Sequence, residues 1–243
     1  MLRVGTWNLE RLKRLDSERH RRQRAWMDRV GAELWILTET HRELERFGAR
    51  GVLSAPAPEL TEAEAWVGIW SRHPLEPLQA VGDPTRSAGA LLRLPTGPVI
   101  VAGSVLPWRG RAWGDQPAAG AVAFCAALEA QARDWAAWRE ASPGAPFILA
   151  GDLNQDLAHF AYYQSAAAKE ALGEVLERAG LRCLTGHESD PVALATSGRR
   201  ASIDHICVAG LAARGQPQIW PPSGEPEGRT SDHVGVAVEL ELP

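Results

Sequence analysis

Short apolar runs recur along the chain, separated by polar stretches rich in glycine, proline and charge. Residues 2–6, 34–38, 66–71, 90–94, 99–106, 147–150, 203–208 and 234–242 have the length and composition of strands. The run Phe-Ile-Leu-Ala at 147–150 holds no polar side chain, the pattern of a strand covered on both faces. The final run alternates instead. Val234, Val236, Val238, Leu240 and Leu242 fall on one side, as in a strand with one face in the core. Three stretches read as helix. Residues 16–31 open on the cap formers Asp16 and Ser17 and carry Trp26, Met27 and Val30 at helical spacing. Residues 118–140 are alanine-rich, with Phe124, Leu128, Trp135 and Trp138 as larger apolar side chains. Residues 169–179 repeat the pattern and stop at Gly180. Strands mixed with helices and hairpin-like pairs, joined by short linkers, predict one α/β domain with mixed sheets over residues 1–243.

At 243 residues and 45% hydrophobic, the chain is long enough to bury a sizeable core. No apolar run approaches the roughly 18 residues that a membrane span needs. The opening MLRVGTWNLE lacks a basic segment leading into a long apolar one, so no leader or membrane anchor is expected. A soluble, cytoplasmic protein is the expectation, and a monomer. Cys125, Cys183 and Cys207 are odd in number, widely spaced and set among apolar residues, which predicts buried free thiols and no disulfide partner. The net charge of −4 excludes a protein that coats polyanions with its whole surface.

Chemistry enters at the ends of the strands. Asn8 follows the first, Glu39 the second, and Asp152 and Asn154 follow 147–150 in the stretch FILAGDLNQD. Asp204 lies in ASIDHICV, and Asp232 and His233 immediately precede the last strand. One such residue alone is an ordinary turn former. Several acids converging from distant segments repel one another unless a cation or protons neutralise them. A cluster of this kind suits Mg²⁺, a hard ion that takes oxygen ligands, keeps waters and leaves room for a substrate phosphate. The corresponding chemistry is phosphoester hydrolysis.

The ordered set WN, a Glu ending a buried strand, GIWSRHPL, GDLN, IDHI and SDH resembles the endonuclease/exonuclease/phosphatase superfamily, over about residues 3–240. The resemblance implies a four-layer α/β sandwich, with two mixed β-sheets packed face to face and helices outside. It also implies roles. Glu39 would be the principal Mg²⁺ ligand (Mn²⁺ a substitute), with Asn8 beside it orienting metal-bound water or phosphate. Asp152 would activate the attacking water, and Asn154 would donate to the phosphate. Asp232 would orient His233 or reach the metal through water, and His233 would stabilise the transition state. Asp204 matches a further acid of the family. His205 and His41 have no such context and are expected to be solvated or packed.

The chain departs from the pattern at Val105, which falls where many members carry His or Tyr. The loop just after it, PWRGRAWGD, interleaves Trp108, Arg109, Arg111 and Trp113. Arg109 or Arg111 could take over phosphate contact, and Trp108 could stack on a base. Residues 11–24 hold seven Lys or Arg against Asp16 and Glu18, and Arg199 with Arg200 forms a second basic pair. These features favour DNA or RNA as substrate. A phosphatase or phosphodiesterase of a small or lipid-derived phosphoester is the second reading, and a non-catalytic nucleic-acid-binding member the third.

Overall fold

The computed structural model describes residues 1–110, 112–114, 121–160, 162–163, 165–221 and 230–242. Two six-stranded sheets carry the fold. The first contains β1 (Leu2–Asn8), β2 (Leu34–His41), β5 (Val52–Leu53), β6 (Glu64–Ser71), β13 (Ala212–Trp220) and β14 (Gly235–Glu241), in the order β13-β14-β1-β2-β6-β5. The second contains β7 (Leu75–Leu78), β8 (Ser87–Leu94), β9 (Gly97–Val105), β10 (Phe147–Asp152), β11 (Arg182–Cys183) and β12 (Asp204–Ala209), in the order β11-β12-β10-β9-β8-β7. A small hairpin pairs β3 (Glu45–Arg46) with β4 (Ala49–Arg50). The helices are α1 (Glu18–Val30), α2 (Val122–Ala141), α3 (Ala166–Arg178) and the short α4 (Pro191–Ala195).

Strand periodicity explains the layering. Leu2 and Val4 of β1, Ile36 of β2, Val101 of β9, and Ile148 and Ala150 of β10 meet in one core between the sheets. The opposite face of β10, Phe147 and Leu149, packs on Phe124, Leu128 and Trp135 of α2 and Leu172 of α3. Trp7 and Trp35, on the outer face of the first sheet, pack on Met27 of α1 and on Trp220. The result is helix, sheet, sheet, helix, the expected four-layer sandwich. Residues 147–150 are indeed covered on both faces, because β10 is an interior strand with helices on one side and the other sheet on the other.

α1 begins where the sequence predicts, with the Ser17 side chain accepting from His20 N–H, and ends on Gly31 in the left-handed conformation. α2 covers most of the predicted 118–140, and residues 118–120 of that prediction lie outside the described residues. The last strand is less one-sided than its alternation suggests. Ala237 is buried in the outer core with Trp7, while Val238 and Leu240 point into the inner one. The three cysteines are free thiols, but only Cys207 is fully buried; Cys125 and Cys183 are half-buried.

Candidate active site

Parallel pairing of β1 with β2, and of β9 with β10, brings their carboxyl ends to one edge of the sandwich. Asn8 closes β1, and Glu39 sits near the end of β2. Across the sandwich, Asp152 closes β10 and lies directly opposite Asp204, the first residue of β12. Two like charges facing each other across an antiparallel pair are unfavourable unless something neutralises them.

Three groups stabilise them here, one imidazole and two neutral N–H donors. His233 Nδ1 lies 2.6 Å from Asp204 Oδ2. Asn8 Nδ2 donates to Asp152 Oδ2 at 3.0 Å and to Glu39 Oε1 at 3.1 Å, so one amide ties the two sheets together. The Asn154 backbone N–H donates to Asp152 Oδ1 at 3.0 Å. Asp204 Oδ1 is buried and has no hydrogen-bond partner among the described residues.

The electrostatics follow from burial and crowding. Burial, and after it the Asp204 carboxylate, raise the pKa of Asp152 above the usual carboxylate range. Burial raises Glu39 as well, opposed by the hydrogen bond from Asn8. For His233 burial pulls the other way, but Asp204 and Asp152 more than reverse it and push the imidazole up to about 11. The site therefore holds an imidazolium among carboxylates.

Local backbone geometry is unusual at the same places. Glu39 and Asn154 adopt left-handed φ values of 51° and 47°. Asn tolerates that region, whereas for Glu it costs on the order of 1 kcal/mol, which the surrounding structure has to offset. Gly151 has φ 138°, and a Cβ there would stand 2.1 Å from Ser104 O. Only glycine lets β10 run this close to β9 just before delivering Asp152.

Other residues fix these groups without any motif to announce them. Ser231 Oγ donates to Asn8 O at 2.7 Å and accepts from His233 N–H at 3.1 Å. Trp7 Nε1 donates to His233 O at 3.1 Å. Gln23, fully buried on α1, donates from Nε2 to Leu9 O at 3.0 Å and Thr230 O at 2.8 Å, tying together the segments after Asn8 and before His233. Their periodic positions marked them only as helix or strand residues.

The remaining predicted residues fall as follows. Asp232 is exposed, lies beside the cluster and lines a cavity of about 60 Å³ with Tyr162, Arg200, Asp204 and His233. The hydrogen-bond partner of the His233 ring is Asp204. Asn154 Nδ2 donates to Leu106 O at 2.9 Å. Val105 is buried in the inner core. Trp108 packs half-buried against Trp66, with ring centroids 6.2 Å apart, and Arg109 is exposed. Arg111 lies outside the described residues. Trp113 is anchored by its Nε1 to Asp83 Oδ2 at 3.1 Å. His205 is fully buried, with Nε2 2.9 Å from Gln155 O, which can only accept, so Nε2 carries a proton. His41 is likewise packed, accepting from Glu43 N–H.

Within the basic stretch, Arg11, Arg14, Arg19, Arg21 and Arg22 pair with Glu64, Asp16, Glu10 and Glu18. Seven cations against four carboxylates leave +3 there, smaller than the count within residues 11–24 alone. A larger cleft, of about 770 Å³, lies at the other end of the sandwich around Pro98, Arg139 and Pro146, away from these acids.

The fold and the strand-end acids together define a phosphoesterase architecture. The Endonuclease/Exonuclease/phosphatase family profile matches residues 5–233, and the chain belongs to that family of hydrolytic phosphoesterases. No curated protein sequence matches the chain at a significant level. Solved structures share the fold at low identity. The human Nocturnin catalytic domain with bound sulfate is 14% identical with a TM-score of 0.64, over 99% of this chain and 94% of that one. The endonuclease domain of TRAS1, a telomere-specific non-LTR retrotransposon, is 15% identical with a TM-score of 0.63, over 98% and 96%. A humanized D. rerio TDP2 is 15% identical with a TM-score of 0.66, over 99% of both chains. No helix among the described residues is long and apolar enough to cross a membrane.

Proposed function

We propose that this protein is a divalent-metal-dependent phosphodiester hydrolase acting on DNA or RNA. The observation that carries the reading is the buried Asp152–Asp204 pair with His233 against Asp204 and Asn8 against Asp152. A divalent cation fits this donor set. Three acids crowd this edge, Glu39 from the first sheet and Asp152 and Asp204 from the second, and the Asn8 amide bridges Glu39 and Asp152. Glu39 and Asn8, with Asp232 through water, are the residues proposed to hold Mg²⁺, with Mn²⁺ as substitute. When bound it would supply charge to polarise the phosphoryl oxygen.

The chain's own groups take the other roles. Asp152, its pKa raised, accepts a proton from the attacking water. Asn154 donates from its remaining amide hydrogen to the phosphate. His233, held as imidazolium by Asp204, presents Nε2–H, which makes no hydrogen bond among the described residues, to a phosphoryl oxygen. The basic residues 11–24 and the pair Arg199 and Arg200 supply the polyanion contact. The ion pairing within residues 11–24 favours, as a second reading, a smaller phosphoester that needs no such track.

The test is hydrolysis by the purified protein with Mg²⁺ or Mn²⁺, against EDTA and an Asp152→Asn control. Substrates are supercoiled plasmid, abasic duplex, single-stranded DNA, RNA and bis(4-nitrophenyl) phosphate. Metal-dependent cleavage of nucleic acid, lost in Asp152→Asn, is expected, with KM rising steeply with salt. Turnover of the small diester alone would favour the second reading.

A further inference from the structure

We propose that Tyr163 is a further catalytic residue, its phenol donating a hydrogen bond to a phosphoryl oxygen held beside Asn154. This deepens the hydrolase reading above and rests on it.

The described residues of the loop between β10 and α3 form no helix or strand, yet Tyr163 is fixed in it. Its backbone N–H donates to Asp156 Oδ2 at 2.8 Å, and its carbonyl accepts from Gln155 Nε2 at 3.1 Å. Asp156 and Gln155 are both fully buried. Asp156 is neutralised in turn by Lys169, whose Nζ lies 2.5 Å from Asp156 Oδ1 and also donates to Ala158 O and Phe160 O. Two side chains thus hold the Tyr163 backbone, one of them braced by Lys169, and this fixes the point from which the phenol projects.

The side chain that this clamp presents is half-buried and reaches the acid cluster. Its hydroxyl stands 3.4 Å from Asn154 Oδ1. That is about 0.6 Å longer than an ordinary O–H···O bond, so the proton is held weakly and is free to turn to a better acceptor. Asn154 is itself immobilised, through Nδ2 on Leu106 O and its backbone N–H on Asp152 Oδ1. A phosphate contacting the Asn154 amide therefore comes within reach of the phenol. Burial, with Asp152 adding to it, raises the Tyr163 pKa, so the hydroxyl stays protonated and remains a donor at neutral pH. Tyr162 next to it points elsewhere, its hydroxyl accepting from Arg200 Nε at 3.2 Å, and serves as a comparison.

The experiment measures turnover of bis(4-nitrophenyl) phosphate with Mn²⁺ and inhibition by inorganic phosphate, with melting midpoints taken in parallel. The proteins are wild type, Tyr163→Phe, Tyr162→Phe, Asn154→Ala, the Asn154→Ala/Tyr163→Phe double variant and Asp152→Asn. Tyr163→Phe is expected to lower kcat/KM about 10- to 100-fold and to weaken phosphate inhibition about 5-fold, with the midpoint unmoved. Tyr162→Phe should cost less than Tyr163→Phe in both readouts. In the Asn154→Ala background, Tyr163→Phe should still cost at least about 5-fold, since a phenol acting only through Asn154 would cost nothing further. Unchanged kinetics in Tyr163→Phe, or no added loss in the double variant, overturns the proposal while leaving the hydrolase reading intact. A wild type that neither turns over any diester nor binds phosphate removes the hydrolase reading, and Tyr163 with it.

Discussion

His233 Nδ1 lies 2.6 Å from Asp204 Oδ2, joining a residue just before the last strand to one at the start of β12, in the opposite sheet. A carboxylate this close fixes both the orientation and the charge of the ring. Asp204→Asn keeps the shape and removes the charge. We expect kcat to fall roughly 10²- to 10³-fold with little change in melting midpoint. Activity within a few-fold of wild type would remove Asp204 from this role.

Gln23 clamps the carbonyls of Leu9 and Thr230 from a fully buried position. Gln23→Leu preserves volume but leaves both carbonyls without this donor. The expected loss is about 1–3 kcal/mol by urea denaturation, with activity reduced beyond what partial unfolding explains. A stability change under about 0.5 kcal/mol would mean that the clamp carries no weight.

Gly151→Ala places a Cβ 2.1 Å from Ser104 O at φ 138°. Neither backbone can yield without breaking the β9–β10 ladder. We expect a loss of more than about 2 kcal/mol, or no soluble protein. A variant that folds with native stability would show that β10 can shift by more than an ångström here.

Glu64 accepts from Arg11 Nε at 2.6 Å and Nη2 at 3.0 Å, and from the Thr61 amide and hydroxyl. The hydrogen bond from Arg11, ahead of the Thr61 contacts, holds its pKa at about 2. A depressed carboxylate stabilises the fold fully above its unfolded pKa, near 4.5, and that contribution fades as pH falls toward 2. Discounted for the partial exposure of Arg11, it is worth about 2 kcal/mol. Glu64→Gln should therefore be less stable than wild type at pH 7, with the gap closing between pH 4.5 and 2. A gap that does not depend on pH would contradict this assignment.

Millimolar Mg²⁺ or Mn²⁺ should raise the melting midpoint, because a cation held by the native cluster, as proposed above, would have no such site in the unfolded chain. At tenfold above Kd the gain is about 1.4 kcal/mol, or a few degrees. Glu39→Gln should lose most of the shift. An equal shift in that variant would place the ion elsewhere.

The major strands were legible because their burial is regular. Residues 147–150 read as doubly covered because β10 is interior, and the helix caps at Ser17 and Gly31 stand where the local chemistry puts them. β13 left no signal. It is an edge strand carrying Gly215 and Pro217, exposed along most of its length and bulged between Arg214 and Gln218, so neither periodicity nor composition marks it. β7, an edge strand of the second sheet, carries Pro77 and left no signal for the same reason. In the site, Asn8, Glu39, Asp152, Asn154, Asp204 and His233 were visible as polar residues at strand ends. The contacts of Gln23, Ser231 and Tyr163 were not. They depend on loops meeting across more than 200 residues, or on a turn whose course no local pattern fixes.

β14 lies between β13 and β1, an interior strand of the first sheet. The segment leading into it supplies His233, and Ser231 fastens that segment to Asn8. β1 thus finds one neighbour, β2, close by in the chain, while its other neighbour, β14, lies more than 200 residues further on. A chain truncated before residue 230 would therefore keep Asn8, Glu39 and Asp152 yet lose His233 and the Ser231 fastening, leaving Asp204 facing Asp152 with no imidazole between the sheets to hold it.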